Sequence, residues 1–336
     1  MIRRSRSTTL ERRRSSPIRW LVSAIVLTTA VAWLTPPARA QHDAFLGRWT
    51  ISSTSQPPAY VGWLEITQPG GQLAATFSNR GQSPMPVASI QVVNGELVFT
   101  PAAGRRGPSP EHRARVQGDK LVGSTKAGDR VVEFVGVRPP KWPPADANAK
   151  HKLGTPVELF DGKSMDAWDL VNKDQPWFVI NGEMTNSPEG ARPAPGSNLR
   201  SKQKFQDYQI RAEYKLDNGA HSGIYWRGRY EMQVLGDMGK PVDKFSHMAV
   251  YGWIAPLVNA SKPDLEWNTM EGTIIANKIS VRLNGQQVHD NSTLEAMTTN
   301  VVDVNELEPG PIQLVGNDGK IWYRKVTVTP ILDGRR

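Results

Sequence analysis

Residues 221–235 read HSGIYWRGRYEMQVL, and this stretch decides the fold. Two short segments, Gly223–Trp226 and Tyr230–Leu235, flank Arg227-Gly228-Arg229. In an extended strand successive side chains point to opposite faces. Glu231 and Gln233 then share one face, while Tyr230, Met232 and Val234 share the other. A carboxylate is costly to bury alone, so Glu231 needs solvent or a partner such as Arg227. Aromatic residues flank this polar row on both sides, which sets it apart from an ordinary surface ion pair.

The same period-two pattern runs outward in both directions. Between residues 157 and 332, strands are predicted at Trp177–Ile180, Gln209–Lys215, Thr273–Asn277, Ile279–Leu283, Ile312–Val315 and Ile321–Val328. Asn181-Gly182, Asn284-Gly285 and Asp318-Gly319 are hairpin signals. Some 175 residues of this kind suit a two-sheet jelly roll. Upstream, residues 138–156 hold five prolines in a short polar stretch and read as a stiff, extended linker. Residues 41–137 form a second series of alternating segments, from Leu46–Ile51 to Arg130–Val137. Pro69-Gly70-Gly71, Asn94-Gly95, Gly118-Asp119 and Gly128-Asp129 punctuate them. That region is expected to be a small antiparallel β domain, either barrel or sandwich. Its opening, Phe45-Leu46-Gly47-Arg48-Trp49, resembles the G-x-W start of lipocalin-like barrels, with Trp49 expected to plug the barrel end. The fold class is all-β, and no internal repeat is evident.

The N-terminus sets the compartment. Seven arginines precede an uncharged stretch, Trp20–Pro37, and Ala38-Arg39-Ala40 follows. A basic region, a short apolar region and an A-x-A site are the parts of a secretory signal. The apolar part, Trp20–Leu34, is short beside the roughly 20 residues a membrane span needs. Residues 1–40 are therefore expected to be removed, leaving an exported protein, periplasmic or extracellular, with no membrane association. The leader carries +7 of the chain's net charge of +9, so the mature protein is near +2. That balance gives no support to a nucleic-acid partner. The chain has no cysteine, which excludes disulfides and thiol chemistry.

Further candidates lie outside the opening stretch. Glu266-Trp267-Asn268 could bind a sugar, since pyranose C–H faces suit an aromatic platform, although Trp267 could equally be core. Asn284-Gly285 reads most simply as a type I′ turn. Arg324 is expected to pair with a carboxylate. No cofactor is expected. A divalent metal held among His221, His247, Glu231 and Asp237 is an alternative, but no spacing there matches a ligand motif. No nucleophile elbow, P-loop or dinucleotide fingerprint is present.

Residues 158–168, Glu-Leu-Phe-Asp-Gly-Lys-Ser-Met-Asp-Ala-Trp, resemble the opening of the DUF1080 family, the 3-keto-disaccharide hydrolase domain. Later landmarks follow in the family's order. They are Trp177 with Asn181-Gly182-Glu183, Phe205–Tyr208, Ser222-Gly223-Ile224, Tyr230–Gln233, Glu266-Trp267-Asn268, Leu283-Asn284-Gly285 and Gly310–Gln313 with Tyr323-Arg324. The resemblance covers about residues 155–331. It implies a concanavalin-like jelly roll acting on a small carbohydrate, a 3-keto-glycoside, by elimination and hydration. Under it, Glu231 is the base or a metal ligand, Arg227 and Gln233 stabilise an enolate, and His221 or Tyr251 protonates the leaving group. Trp226, Arg229, Trp267, Asn268 and Glu266 then bind substrate. The alternative is a non-catalytic carbohydrate-binding module. The chain departs from the family's habit at His221, where Asn is usual, and after Gln313, where a His-Gly is usual.

Overall fold

Eight strands, each long enough to pair with the next, follow one another from residue 47. They are β1 (Gly47–Ser53), β2 (Val61–Thr67), β3 (Ala74–Asn79), β4 (Met85–Val93), β5 (Glu96–Pro101), β6 (His112–Gln117), β7 (Lys120–Ala127) and β8 (Arg130–Val137). Asn94 and Gly95, at φ 52° and 71°, make the left-handed turn that the β4–β5 hairpin requires. β8 returns to β1, with Val135 opposite Ser52, and closes an antiparallel barrel without free edges. The computed structural model describes residues 42–334 except 56–60, 80–82, 104–106, 188–197, 299 and 317–318. The expected leader and Asp318 of one hairpin signal lie outside the described residues.

Strand alternation sends Trp49, Leu64, Phe77, Leu97, Phe99 and Phe134 into the barrel, where they form its core. The Trp49 indole N–H donates to Phe45 O at 2.8 Å. The Arg138 guanidinium lies 3.5 Å from the centre of that ring and donates to the carbonyls of Ala44, Leu46 and Arg48. His112 is buried in the same core, stacked on Phe99 with ring centres 4.8 Å apart. Its Nδ1 meets Pro110 O at 3.0 Å, and burial pushes its pKa down to about 4.

Residues 138–156 are docked rather than free. Ala147 N donates to Asn291 Oδ1, and Ser280 Oγ donates to Asn148 Oδ1. Beyond them come β9 (Val157–Phe160), β10 (Trp168–Leu170), β11 (Phe178–Ile180), β12 (Glu183–Thr185), β13 (Leu199–Phe205), β14 (Tyr208–Leu216), β15 (His221–Trp226), β16 (Tyr230–Leu235), β17 (Asn268–Ile275), β18 (Lys278–Leu283), β19 (Gln286–Thr293), β20 (Gly310–Leu314) and β21 (Ile321–Pro330). A five-stranded sheet, ordered β10-β13-β20-β15-β16, faces an eight-stranded one, ordered β11-β12-β21-β14-β17-β18-β19 with β9 also on β21. Tyr208, Tyr214, Trp226, Met232, Ile274 and Leu314 fill the space between them. This is a concanavalin-like jelly roll preceded by a smaller antiparallel β domain. Among the described residues no helix is long and apolar enough to cross a membrane.

Most strand ends lie within two residues of the sequence expectation, and one expected strand runs into a turn. β17 ends at Ile275, and Ala276-Asn277 turns into β18, so Thr273–Asn277 is not a single strand. Ala276 takes φ 49°, which alanine disfavours. Asp207 Oδ1 accepts the Ala276 N–H and Arg227 Nη1 donates to its carbonyl, so tertiary bonds hold the turn that no local residue signals.

The barrel wall touches the long loop between β16 and β17. Ser83 Oγ donates to Gly252 O at 2.7 Å, and the Trp63 and Trp253 rings meet edge to face at 5.3 Å. Arg48 reaches Glu295 at 3.2 Å.

Candidate active site

Register across the five-stranded sheet brings distant residues into one row. Asp169 pairs with Arg200, Arg200 with Gln313, Gln313 with Tyr225, and Tyr225 with Glu231. The core takes the alternate positions Leu199, Ile224, Met232 and Leu314, so this row lies on the outer face. Even there, Gln313, Tyr225 and Glu231 are 0%, 1% and 5% exposed. A buried polar row on the outside of a sheet is not what packing alone produces.

Glu231 is the pivot. Tyr225 Oη donates to its Oε2 at 2.7 Å. Its other oxygen lies over Gly223, where any Cβ would overlap it, so glycine at that position makes room for the carboxylate. Burial raises the Glu231 pKa to about 7, and the Tyr225 hydrogen bond opposes that rise only in part. Near neutral pH the group both takes and holds a proton.

Residues 248–251 run along the edge of β16. Met248 N donates to Gln233 O, Gln233 N to Ala249 O and Tyr251 N to Glu231 O. This adds a bridge at Val250 to the edge of β16 and sets Tyr251 beside Glu231. The Tyr251 ring stacks on His221 with centres 6.5 Å apart and meets Phe245 edge to face at 5.3 Å. Burial and the Glu231 charge raise the Tyr251 pKa, so its hydroxyl stays protonated. Phe245 O can only accept and draws the amide nitrogen of Gln233, which leaves Gln233 Oε1 to take the His221 Nε2–H at 3.0 Å. The structure therefore brings Glu231, His221, Gln233 and Tyr251 together.

A family profile described as a 3-keto-alpha-glucoside-1,2-lyase-like domain matches residues 155–329, just over half of the chain. The chain belongs to this family. A 3-keto-disaccharide hydrolase from Bacteroides thetaiotaomicron is 23% identical over an alignment covering 35% of this chain and 54% of the relative. The chain thus spans about half the length of that curated relative. Among solved structures, a candidate glycosyl hydrolase from Parabacteroides distasonis is 23% identical, covering 58% of this chain and 94% of its own, at a TM-score of 0.45. LamA from Z. galactanivorans, solved with laminaritriose and laminaritetraose, is 11% identical, covering 54% and 100%, at 0.36.

Within the family domain several sequence candidates fall elsewhere. Arg227 is fully buried at the turn between β15 and β16, and neither pairs with Glu231 nor faces the row. Its guanidinium donates to Asp207 Oδ1 at 2.8 Å, Gln206 O at 2.5 Å and Ala276 O at 2.6 Å. Arg229 is equally buried and bound to Asp303 and Glu308 O. Trp226 lies in the core, its ring filling the space above Gly272. These three hold the fold. Trp267 lies on the outer face of the opposite sheet, under the Arg324 guanidinium at 4.5 Å and the Lys215 ammonium at 4.7 Å. Asn268 binds its own loop, donating to Glu266 O and accepting from Lys262 N, while the Glu266 side chain is exposed. Arg324 pairs with Glu213 at 2.6 Å.

The conceivable metal set does not converge. His247 is held between Leu235 O at 2.6 Å and the Tyr214 hydroxyl at 2.7 Å. Nδ1 also receives the Leu235 N–H at 3.2 Å, and burial lowers the pKa of the ring. Asp237 accepts from His247 N and from Asn259. Among the described residues no three His, Cys, Asp or Glu side chains gather to hold a metal ion.

Sequence reasoning missed Tyr225 and Arg200. Counting back from the turn at Arg227-Gly228 would have set Tyr225 opposite Glu231. Nothing local links Arg200 to Gln313.

Proposed function

We propose that the chain is an exported carbohydrate-active enzyme that cleaves 3-keto-glycosides by elimination across C1–C2 followed by hydration. The observation that carries this reading is Glu231, a buried carboxylate with a pKa near 7 held by Tyr225 on an otherwise polar sheet face. A ketone at C3 acidifies the proton on C2. Glu231 accepts that proton, and the C2–H electron pair moves into the carbonyl to give an enolate. The enolate collapses to form C1=C2, and the bond from C1 to the glycosidic oxygen breaks. Tyr251, kept protonated by its raised pKa, supplies the proton to the leaving oxygen. His221 serves less well as that acid, because its Nε2–H is bound to Gln233. Its ring instead backs Tyr251. Water then adds across C1=C2, so the net reaction is glycoside hydrolysis.

The test is incubation of the purified protein with 3-keto-trehalose and a 3-keto-β-glucoside, with and without EDTA. Release of the 3-keto sugar, insensitive to EDTA, supports Glu231 as a plain base. EDTA-sensitive release gives a metal the central part and removes the plain-base assignment. Binding without release turns the reading into a sugar-binding module.

A further inference from the structure

Gln313 stands at the centre of the polar row, on β20 between Arg200 and Tyr225, with its side chain wholly buried. Its Oε1 accepts from Arg200 Nε at 2.7 Å. A guanidinium Nε can only donate, so the amide atom facing Arg200 is the oxygen. The amide nitrogen is therefore the atom that does not meet Arg200, on a residue whose other neighbour across the sheet is Tyr225, itself opposite Glu231. That Nε2 has no hydrogen-bond partner. Burying a donor unmade costs about 1–3 kcal/mol, and nine in ten buried polar groups avoid it. The other oxygens of the row do not accept from it: Tyr225 Oη lies on Glu231 Oε2, and the other Glu231 oxygen lies over Gly223.

We infer that Gln313 Nε2–H is the donor for a carbonyl oxygen of the ligand, and for the enolate oxygen that develops there when Glu231 removes the neighbouring proton. In the reading proposed above, on which this inference rests, that atom is O3 of the 3-keto sugar. The donor is fixed before substrate arrives, because Arg200 clamps the other end of the amide. A cation on the amide oxygen also polarises the N–H and makes it a stronger donor. In a site with little water, such a preset donor acts where charge appears in the transition state rather than in the ground state. No bond to Gln313 forms or breaks. The proton passes from C2 to Glu231, and the charge left on oxygen is met by the amide.

Two variants test this. Gln313→Met keeps the volume without the donor. Gln313→Glu keeps the shape and the Arg200 contact but has no N–H, and it serves if the first fails to fold. Two rates are measured: deuterium uptake at C2 of free 3-keto-glucose in D2O by NMR, and turnover of 3-keto-trehalose. Both are expected to fall about 10²–10³-fold, the usual effect of removing one oxyanion donor. KM should stay within about threefold, since the interaction belongs to the transition state. In Gln313→Met the acid limb of the pH–rate profile should stay in place and melting should come no earlier than in wild type. A folded variant that keeps both rates within about threefold of wild type, or loses activity through KM alone, overturns the assignment while the wild-type rates leave the proposed function standing. A wild-type protein that neither exchanges nor cleaves any 3-keto sugar overturns the proposed function and this assignment together.

Discussion

The barrel and the sandwich each bury a group that titrates, and the two burials differ in their company. His112 is enclosed by the rings of Phe77, Phe99 and Phe134, with one nitrogen on Pro110 O. Nothing about it faces outward, and its neutral form suits an apolar core. Glu231 is as well buried, yet it shares its face with the phenol of Tyr225, the amides of Gln233 and Gln313, the imidazole of His221 and the phenol of Tyr251, and one of these, Gln313, has a polar atom left over. Both groups have their charged forms disfavoured by about the same amount, in opposite directions. Burial alone therefore does not mark a site; burial among incompletely matched polar partners does.

Replacing Glu231 is the strongest attack on that contrast. Glu231→Gln should lower turnover by about 10²–10⁴-fold, the range general-base catalysis supplies. Stability should move the other way. The folded pKa of about 7 lies above the ordinary 4.5, so the folded state binds more protons between those values and wild type loses stability as pH rises through them. The Gln variant should thus be about 3 kcal/mol more stable than wild type at pH 8 and no more stable at pH 4, read from urea unfolding. A variant less stable at pH 8 would put Glu231 in the same class as His112.

His112 tests the other half. Its folded pKa of about 4 lies below the ordinary 6.5, so its contribution is complete above pH 6.5 and is lost as pH falls toward 4. Barrel unfolding should cost about 3 kcal/mol less at pH 4 than at pH 7 on this account. His112→Phe should flatten that dependence and leave turnover unchanged. Tyr225→Phe is a finer probe. It removes the hydrogen bond that favours the carboxylate, so the acid limb of kcat/KM should move up by about one pH unit. A limb that stays put would mean Tyr225 does not tune the base. The smallest effect belongs to the outer face of the eight-stranded sheet. There the Arg324–Glu213–Arg211 group is dense in charge but open to solvent. Arg324→Ala should cost less than about 1 kcal/mol and no activity.

Much of the fold was legible because local chemistry dictated it. Asn94-Gly95, Asn181-Gly182 and Asn284-Gly285 each take the left-handed pair that their hairpins demand, and turn residues mark off the barrel strands. β10 and β12, at three residues each, are too short to carry a pattern, and Ala276 turns only because Asp207 and Arg227 hold it. In the site, alternation alone paired Glu231 with Gln233. It misjudged Arg227 and Arg229, because arginines beside aromatic strands look like a binding edge until their distant partners, Asp207 and Asp303, are seen. Gln313 was legible only as one landmark of the family resemblance. Its meaning depended on Arg200, 113 residues earlier.

The strand order also dictates when the site can exist. β9, which opens the sandwich, pairs with β21, which closes it, and the polar row is completed only when β20 slides between β13 and β15. The strand ladder of the barrel is complete at residue 137, while the rest is still being synthesised. At roughly 5–20 residues per second, some tens of seconds of translation separate the two events. During that interval the nascent chain carries Glu231 on a hairpin with no neighbour on its β20 side. A chain that stops before residue 310 holds an intact barrel and half a sheet, and no arrangement able to do chemistry. The polar row thus arrives last, as a by-product of sheet closure.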